Sequence, residues 1–185
     1  MNKNDLRVIK TKMNITSALI KLLSEKSFSK ISVQDILDTA LINRTTFYRH
    51  YLDKYDLANQ INAEILSEIK VLLDVRFKQA TTEQDILENV NTLLKRFSQN
   101  KTIFLTMLNI QSCEVNLKKD LTSLIENYYS KFFIKNTEFF DKLEARLFAN
   151  IILTTLIFTL ENNELITLEQ IKTVILQLMK NFQHI

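Results

Sequence analysis

The chain contains no glycine and no proline in 185 residues. Average usage would place about a dozen glycines in a chain of this length. Every connection must therefore turn without a glycine at positive φ and without a proline-set φ, which disfavours hairpin-rich β folds. Helices joined by short polar links are the architecture that remains. The single cysteine, Cys113, excludes an intrachain disulfide and suits a reducing compartment. The first residues, MNKNDLRVIK, lack the apolar run of a signal peptide. The longest uncharged run, Leu147 to Leu160, is too short to span a bilayer, and it carries Asn150 and three threonines. These features point to a cytoplasmic chain with no membrane partner.

Several chemistries also lack their residues. A glycine-rich phosphate loop cannot be built without glycine. His50, His184 and Cys113 lie far apart in sequence, without metal-ligand spacing. Nothing near Cys113 suggests a base that would make it a nucleophile. The expectation is no metal, no cofactor and no enzymatic activity.

What is present is ordinary globular composition, 46% hydrophobic and 24% charged, in a chain long enough for a sizeable core. The charge is unevenly placed. Residues 1–54 hold ten Lys and Arg against five Asp and Glu, whereas residues 55–185 hold fourteen against sixteen. A basic front and a mildly acidic back point to a polyanionic partner at the N-terminal end.

Periodicity predicts nine helices and no credible strand. The first spans residues 6–25, with Ile9, Met13, Ile20 and Leu23 on one stripe and Leu19 and Leu22 widening it. Ser32 opens a capping box, S-x-x-D to Asp35, before a two-turn helix with Val33, Ile36, Leu37 and Ala40 inward. Leu41 and Ile42 form a turn, and Asn43 caps the next helix. In that helix Phe47 and Tyr51 share the inward face. Arg44, Thr45, Tyr48 and Arg49 fall on the opposite face, with Thr46 and His50 flanking it. Asp53 caps a long helix from Lys54 to about Lys78. Thr81 and Thr82 cap another over 83–99. Further helices are expected at 103–110, 114–134 and 138–161, the last ended by Asn162 and Asn163. A capping box from Thr167 to Gln170 opens the final one.

Two short helices and a turn, the second with a cationic exposed face, form a helix-turn-helix pattern. Arg44 stands at the start of the second helix, the end that usually meets base edges. Thr45 and Thr46 can donate to bases or phosphates, and Tyr48, Arg49 and His50 can reach phosphates. Lys54 stands at a helix N-terminus, which attracts a phosphate. An amphipathic helix with a plain solvated face gives the same spacing.

The run T-A-L-I-N-R-T-T-F-Y-R-H-Y-L-D-K-Y-D-L, Thr39 to Leu57, resembles the DNA-binding signature of the TetR/AcrR family of transcriptional regulators. Lys21 to Ile36 fits that family's junction of first and second helices. Many members have glycine in the turn, as A-G-V-S, where this chain has Ala40-Leu41-Ile42-Asn43. That departure resembles a branch with I-N-R-x-T-F-Y. The resemblance covers roughly residues 6–57.

The resemblance implies an all-α protein: a three-helix helix-turn-helix DNA-binding domain over 1–53, then a six-helix regulatory and dimerisation domain over 54–185. It places phosphate contacts at Ser32, Tyr48, His50 and Lys54, and base-facing positions at Arg44, Thr45, Thr46 and Arg49. Ser32 is equally a plain helix cap. The last two helices would pair with their copies in a homodimer, through Ile152, Thr155, Leu156, Thr159, Ile171, Ile175, Leu178 and Phe182. Their apolar residues exceed what one core needs. A small-molecule effector is implied in the middle of the chain, where Phe97, Phe104, Met107, Leu108, Cys113, Tyr128, Phe132 and Phe148 are candidates to line a pocket. Plain core packing is the alternative for each of them. The expected function is a homodimeric repressor, released from a pseudo-palindromic double-stranded DNA operator by its effector. The alternative is a helical interaction protein or co-regulator on the same scaffold that does not act through an operator.

Overall fold

The computed structural model describes residues 3–78, 82, 95, 97–134, 139–164 and 166–182. All regular structure among them is helical. The helices are α1 (Lys3–Glu25), a 3-10 turn (Phe28–Lys30), α2 (Val33–Ala40), α3 (Arg44–Tyr48), α4 (Lys54–Lys78), α5 (Lys101–Leu108), α6 (Leu117–Phe133), α7 (Phe139–Asn162) and α8 (Leu168–Phe182). The expected helix over 83–99 lies almost wholly outside the described residues.

The local signals for helix ends hold. Asn43 and Asn116 cap α3 and α6 with side-chain oxygens. Thr167 and Gln170 exchange hydrogen bonds ahead of α8, Thr167 N–H donating to Gln170 and Gln170 N–H to the Thr167 hydroxyl. Asn163, at φ 56°, ends α7 in the left-handed region that asparagine tolerates.

One buried cluster runs from Ile15, Leu19 and Leu22 of α1 through Ile36 and Leu37 of α2, Phe47 of α3 and Leu57 and Ile61 of α4. It continues into Phe104 and Met107 of α5, Leu117 and Leu121 of α6, and Leu153 and Leu160 of α7. α1 packs on α2 and α5, α4 on α5 and α6, and α6 along α7. The buried face of α1 is Ile15, Ala18, Leu19 and Leu22, at the helical interval. Ile9 and Met13, expected on that stripe, are exposed, at 45% and 62%. Ile9, Lys12 and Met13 of α1 border an open cleft of about 430 Å³ against α4 and residues 97–104.

Two helices carry apolar surface that the protomer does not cover. On α7, Ala145, Ala149, Leu153 and Leu160 face inward, and Leu143, Leu147, Ile151 and Phe158 lie exposed on another face. α8 packs only marginally on the other described helices, leaving Val174, Leu178, Met179 and Phe182 open.

This geometry revises the expected pairing set. Ile152, Leu178 and Phe182 are exposed, and Thr155, Leu156, Ile171 and Ile175 are half-buried. Thr159 is buried within its own protomer, because it shares the inward side of α7 with Leu160. Leu143, Leu147, Ile151 and Phe158 of α7, and Val174, Leu176 and Met179 of α8, are exposed positions outside that set, and those on α7 recur at helical spacing. α7 is also longer than its uncharged run. At 24 residues with a mean hydropathy of 1.6 over its most apolar window, it meets the length and composition of a membrane span. Its first two turns carry Asp141, Lys142, Glu144 and Arg146.

Candidate nucleic-acid interface

The helix-turn-helix is assembled by three local devices. Ser32 Oγ accepts from the Asp35 N–H at 3.1 Å, and the Asp35 carboxylate accepts from the Ser32 N–H at 2.7 Å. These hydrogen bonds, with help from Lys26 at 3.0 Å, hold the Asp35 carboxyl down at about 2. α2 ends at Leu41, which adopts φ 54°, ψ 46°. Leu41 thus occupies the left-handed region with a full side chain, and that side chain is 91% exposed. The Ile42 N–H then returns to the Leu37 carbonyl at 3.1 Å. Finally Asn43 Oδ1 accepts from both the backbone N–H and the hydroxyl of Thr46, each at 2.8 Å.

α3 is held by its inward side. Phe47 is fully buried and Tyr51 nearly so, with ring centroids 5.6 Å apart. Burial, with the carboxylates of Glu64 and Asp56 nearby, pushes the Tyr51 phenol up to about 12. The opposite side presents Arg44, Thr45, Tyr48 and Arg49 to solvent. The Arg44 guanidinium lies 5.9 Å from the centre of the Tyr48 ring, a cation–π arrangement that extends both groups along one face. Thr46 and His50 are half-buried beside them. Burial, then Lys12 and Arg49, lower the His50 pKa.

Two of the expected contacts sit differently. Ser32 is spent as the cap of α2, its hydroxyl 2.7 Å from Asp35 Oδ2. Lys54 does not extend outward. Its ammonium donates to the carbonyls of Phe28 at 2.9 Å, Ser29 at 3.1 Å and Ile31 at 2.7 Å. It also lies 5.0 Å and 5.2 Å from the ring centres of Phe28 and Tyr55. Sequence could not show this, because the carbonyls lie 23 to 26 positions upstream. Asp53 caps α4 as expected, its carboxylate accepting from the N–H groups of Tyr55 and Asp56 at 2.8 Å.

The candidate pocket residues divide. Phe97, Phe104, Met107 and Leu108 are core, with the two rings 4.8 Å apart. Only Phe97 and Phe104 of the set reach the cleft bordered by Ile9 and Met13. Tyr128 donates to Asp74 at 2.6 Å and stands with Phe132 beside Phe77. Phe148 packs on Tyr129, which bonds Glu144. Cys113 is exposed. Core packing and a surface aromatic cluster account for these side chains better than one common pocket lining does.

Residues 15–61 match the sequence model described as bacterial regulatory proteins, tetR family. No curated protein matches the chain. Among solved structures, a TetR transcriptional regulator from Streptococcus agalactiae 2603V is 26% identical, with 95% of this chain and 96% of that one covered and a TM-score of 0.59. NalD of Pseudomonas aeruginosa, the secondary repressor of the MexAB-OprM multidrug efflux pump, is 18% identical, with 96% of each chain covered and a TM-score of 0.55. A transcriptional regulator from Aquifex aeolicus VF5 is 20% identical, with 93% and 99% covered and a TM-score of 0.53. The protein is therefore built as an N-terminal helix-turn-helix domain followed by a helical domain. Its helix-turn-helix region, residues 15–61, is similar to the N-terminal domain of the TetR family.

Proposed function

We propose that this protein is a sequence-specific DNA-binding transcriptional regulator, acting as a homodimeric repressor that a small molecule releases from its operator. The observation that carries the reading is the outward face of α3. Arg44, Thr45, Tyr48 and Arg49 point to solvent on a helix whose other side is locked by Phe47 and Tyr51. A short helix held rigidly, with donors and one cation–π pair outward, has the shape and chemistry to enter a major groove. In this reading Arg44, Thr45 and Thr46 meet base edges, and Tyr48, Arg49 and His50 meet the backbone. Ser32 contributes as a cap that sets the angle of α2.

In this reading the DNA-binding domain is 1–53 and the regulatory domain 54–185. The uncovered faces of α7 and α8 support pairing of two copies, since a monomer rarely leaves so much apolar helix surface in water. Pairing would set two α3 helices against a pseudo-palindromic site. The same pairing covers the apolar face of α7 without a membrane. NalD is a repressor by its description, and its likeness in fold is compatible with repression here. An effector acting through α4 would shift the separation of the two recognition helices.

The test is a gel shift against the chain's own upstream region at several salt concentrations. A specific complex that weakens steeply with salt is expected. Arg44→Ala should weaken it roughly 5- to 100-fold, the scale of a lost bidentate base contact. A complex indifferent to both sequence and Arg44 would refute the reading.

A further inference from the structure

We infer that Lys54 welds α4 to the helix-turn-helix and so positions α3, rather than contacting a DNA phosphate. The weld stands on geometry alone; its effect on DNA rests on the regulator reading above. Lys54 is the first residue of α4, just after the cap Asp53. An ammonium has three N–H donors and no more. All three point to carbonyls of one turn, those of Phe28, Ser29 and Ile31. They sit at the end of the 3-10 turn, where partial negative charge collects, and the Phe28 carbonyl also accepts the Ile31 N–H that closes the turn.

The turn itself is anchored, since Phe28 and Ile31 are buried at 7% and 1% exposure. The Phe28 and Tyr55 rings, edge to face at 5.4 Å, flank the ammonium and restrict its movement. Ile31 directly precedes Ser32, the cap of α2. One side chain therefore joins the start of α4 to the start of α2, and α3 follows α2 after a three-residue turn. A shift of α4 carries α2 and α3 with it. A phosphate could take this ammonium only by emptying at least one carbonyl.

Arginine discriminates between the two roles. Its planar fork serves a phosphate as well as lysine does, but it cannot converge three donors on one carbonyl rim. The experiment uses the full chain and its Lys54→Met and Lys54→Arg variants. Hydrogen exchange on free protein should quicken about tenfold across residues 33–48 in both variants relative to α6, the signature of local rather than global loosening. Leu121→Ala, a core variant far from the weld, should quicken exchange without that selectivity. Unchanged relative exchange in the Lys54 variants overturns the weld. If Lys54→Met does not fold, Lys54→Arg carries the comparison.

The second arm uses a duplex selected by the wild-type protein from a random-sequence library. Both variants should lose about tenfold in affinity, on the scale of charge-assisted hydrogen bonds lost. The slope of log affinity against log salt should stay as in wild type. Wild-type affinity in Lys54→Arg, or a slope reduced by about one per protomer, assigns the lysine to a phosphate and overturns the proposal. If the wild type selects no sequence, the regulator reading fails by itself, and the exchange arm still decides the weld.

Discussion

Ser32 and Asp35 hold each other: each backbone N–H is received by the other's side chain, at 2.7 Å and 3.1 Å. The Asp35 carboxyl is held at about 2 against an ordinary value of 3.8, chiefly by the Ser32 hydrogen bonds. Its folded-state pKa is depressed, so between those values the unfolded chain binds more protons. Stability is then fully present above about 4 and falls as pH drops towards 2. Asp35→Asn should lower the urea midpoint at pH 7 and flatten its fall between pH 4 and pH 2. Ser32→Ala should shift the Asp35 titration upward by NMR. A titration that stays put in Ser32→Ala would assign the depression to the backbone N–H of residue 32, which alanine keeps, with Lys26, and not to the hydroxyl.

Leu41 takes a backbone conformation that suits glycine, at φ 54° and ψ 46°. Left-handed geometry costs a residue with a Cβ about 1–2 kcal/mol. Its side chain is 91% exposed, so replacing it gives up almost no burial. Leu41→Gly should therefore stabilise the protein by about 0.5–1 kcal/mol, once glycine's greater freedom in the unfolded chain is deducted. Leu41→Val, stiffer at Cβ, should destabilise it. Equal thermal midpoints for the three proteins would show that the turn relaxes at no cost.

That turn shows where the sequence could be read and where it could not. The caps at Ser32, Asn43, Asp53 and Thr167 were legible because each is a contact within three residues of chain. The inward pair Phe47 and Tyr51 and the outward set on α3 followed from helical spacing alone. The left-handed backbone at Leu41 was not legible, since nothing but the absence of glycine marked it. Lys54 looked like any cation at a helix start, and its carbonyl partners belong to the tertiary fold. The stripe containing Ile9 and Met13 failed because periodicity reports a face, not whether anything covers it. The same ambiguity separated Thr159 from Phe158, neighbours in sequence of which the first is buried and the second exposed.

Asn62 stands in the middle of α4 at 2% exposure, with neither its amide nitrogen nor its amide oxygen hydrogen-bonded. A buried donor and acceptor left unpaired each carry a desolvation cost of about 1–3 kcal/mol. Leucine repeats the branched outline of the amide with bulkier methyl groups and carries no such cost. Asn62→Leu should raise stability by about 1–3 kcal/mol in urea unfolding, with an unchanged slope. Asn62→Asp, which buries a carboxyl there, should do the reverse. A loss of stability in Asn62→Leu would mean that the amide finds partners in solution.

Leu178 and Phe182 lie one helical turn apart on α8, 52% and 74% exposed. Fully burying two such side chains is worth about 1.5–3 kcal/mol each, which is the gain a second copy would offer. If α7 and α8 are the pairing surface, Leu178→Glu with Phe182→Glu places two charges of one sign opposite their own copies. Sedimentation should then show a monomer at concentrations where the wild type is a dimer. The helical circular dichroism should persist, because α8 packs only marginally on its own protomer. Affinity for a two-half-site duplex should collapse, while weak binding to a single half-site is retained. A dimer that survives both glutamates would place the pairing surface elsewhere, with the exposed stripe of Leu147, Ile151 and Phe158 on α7 the next to replace.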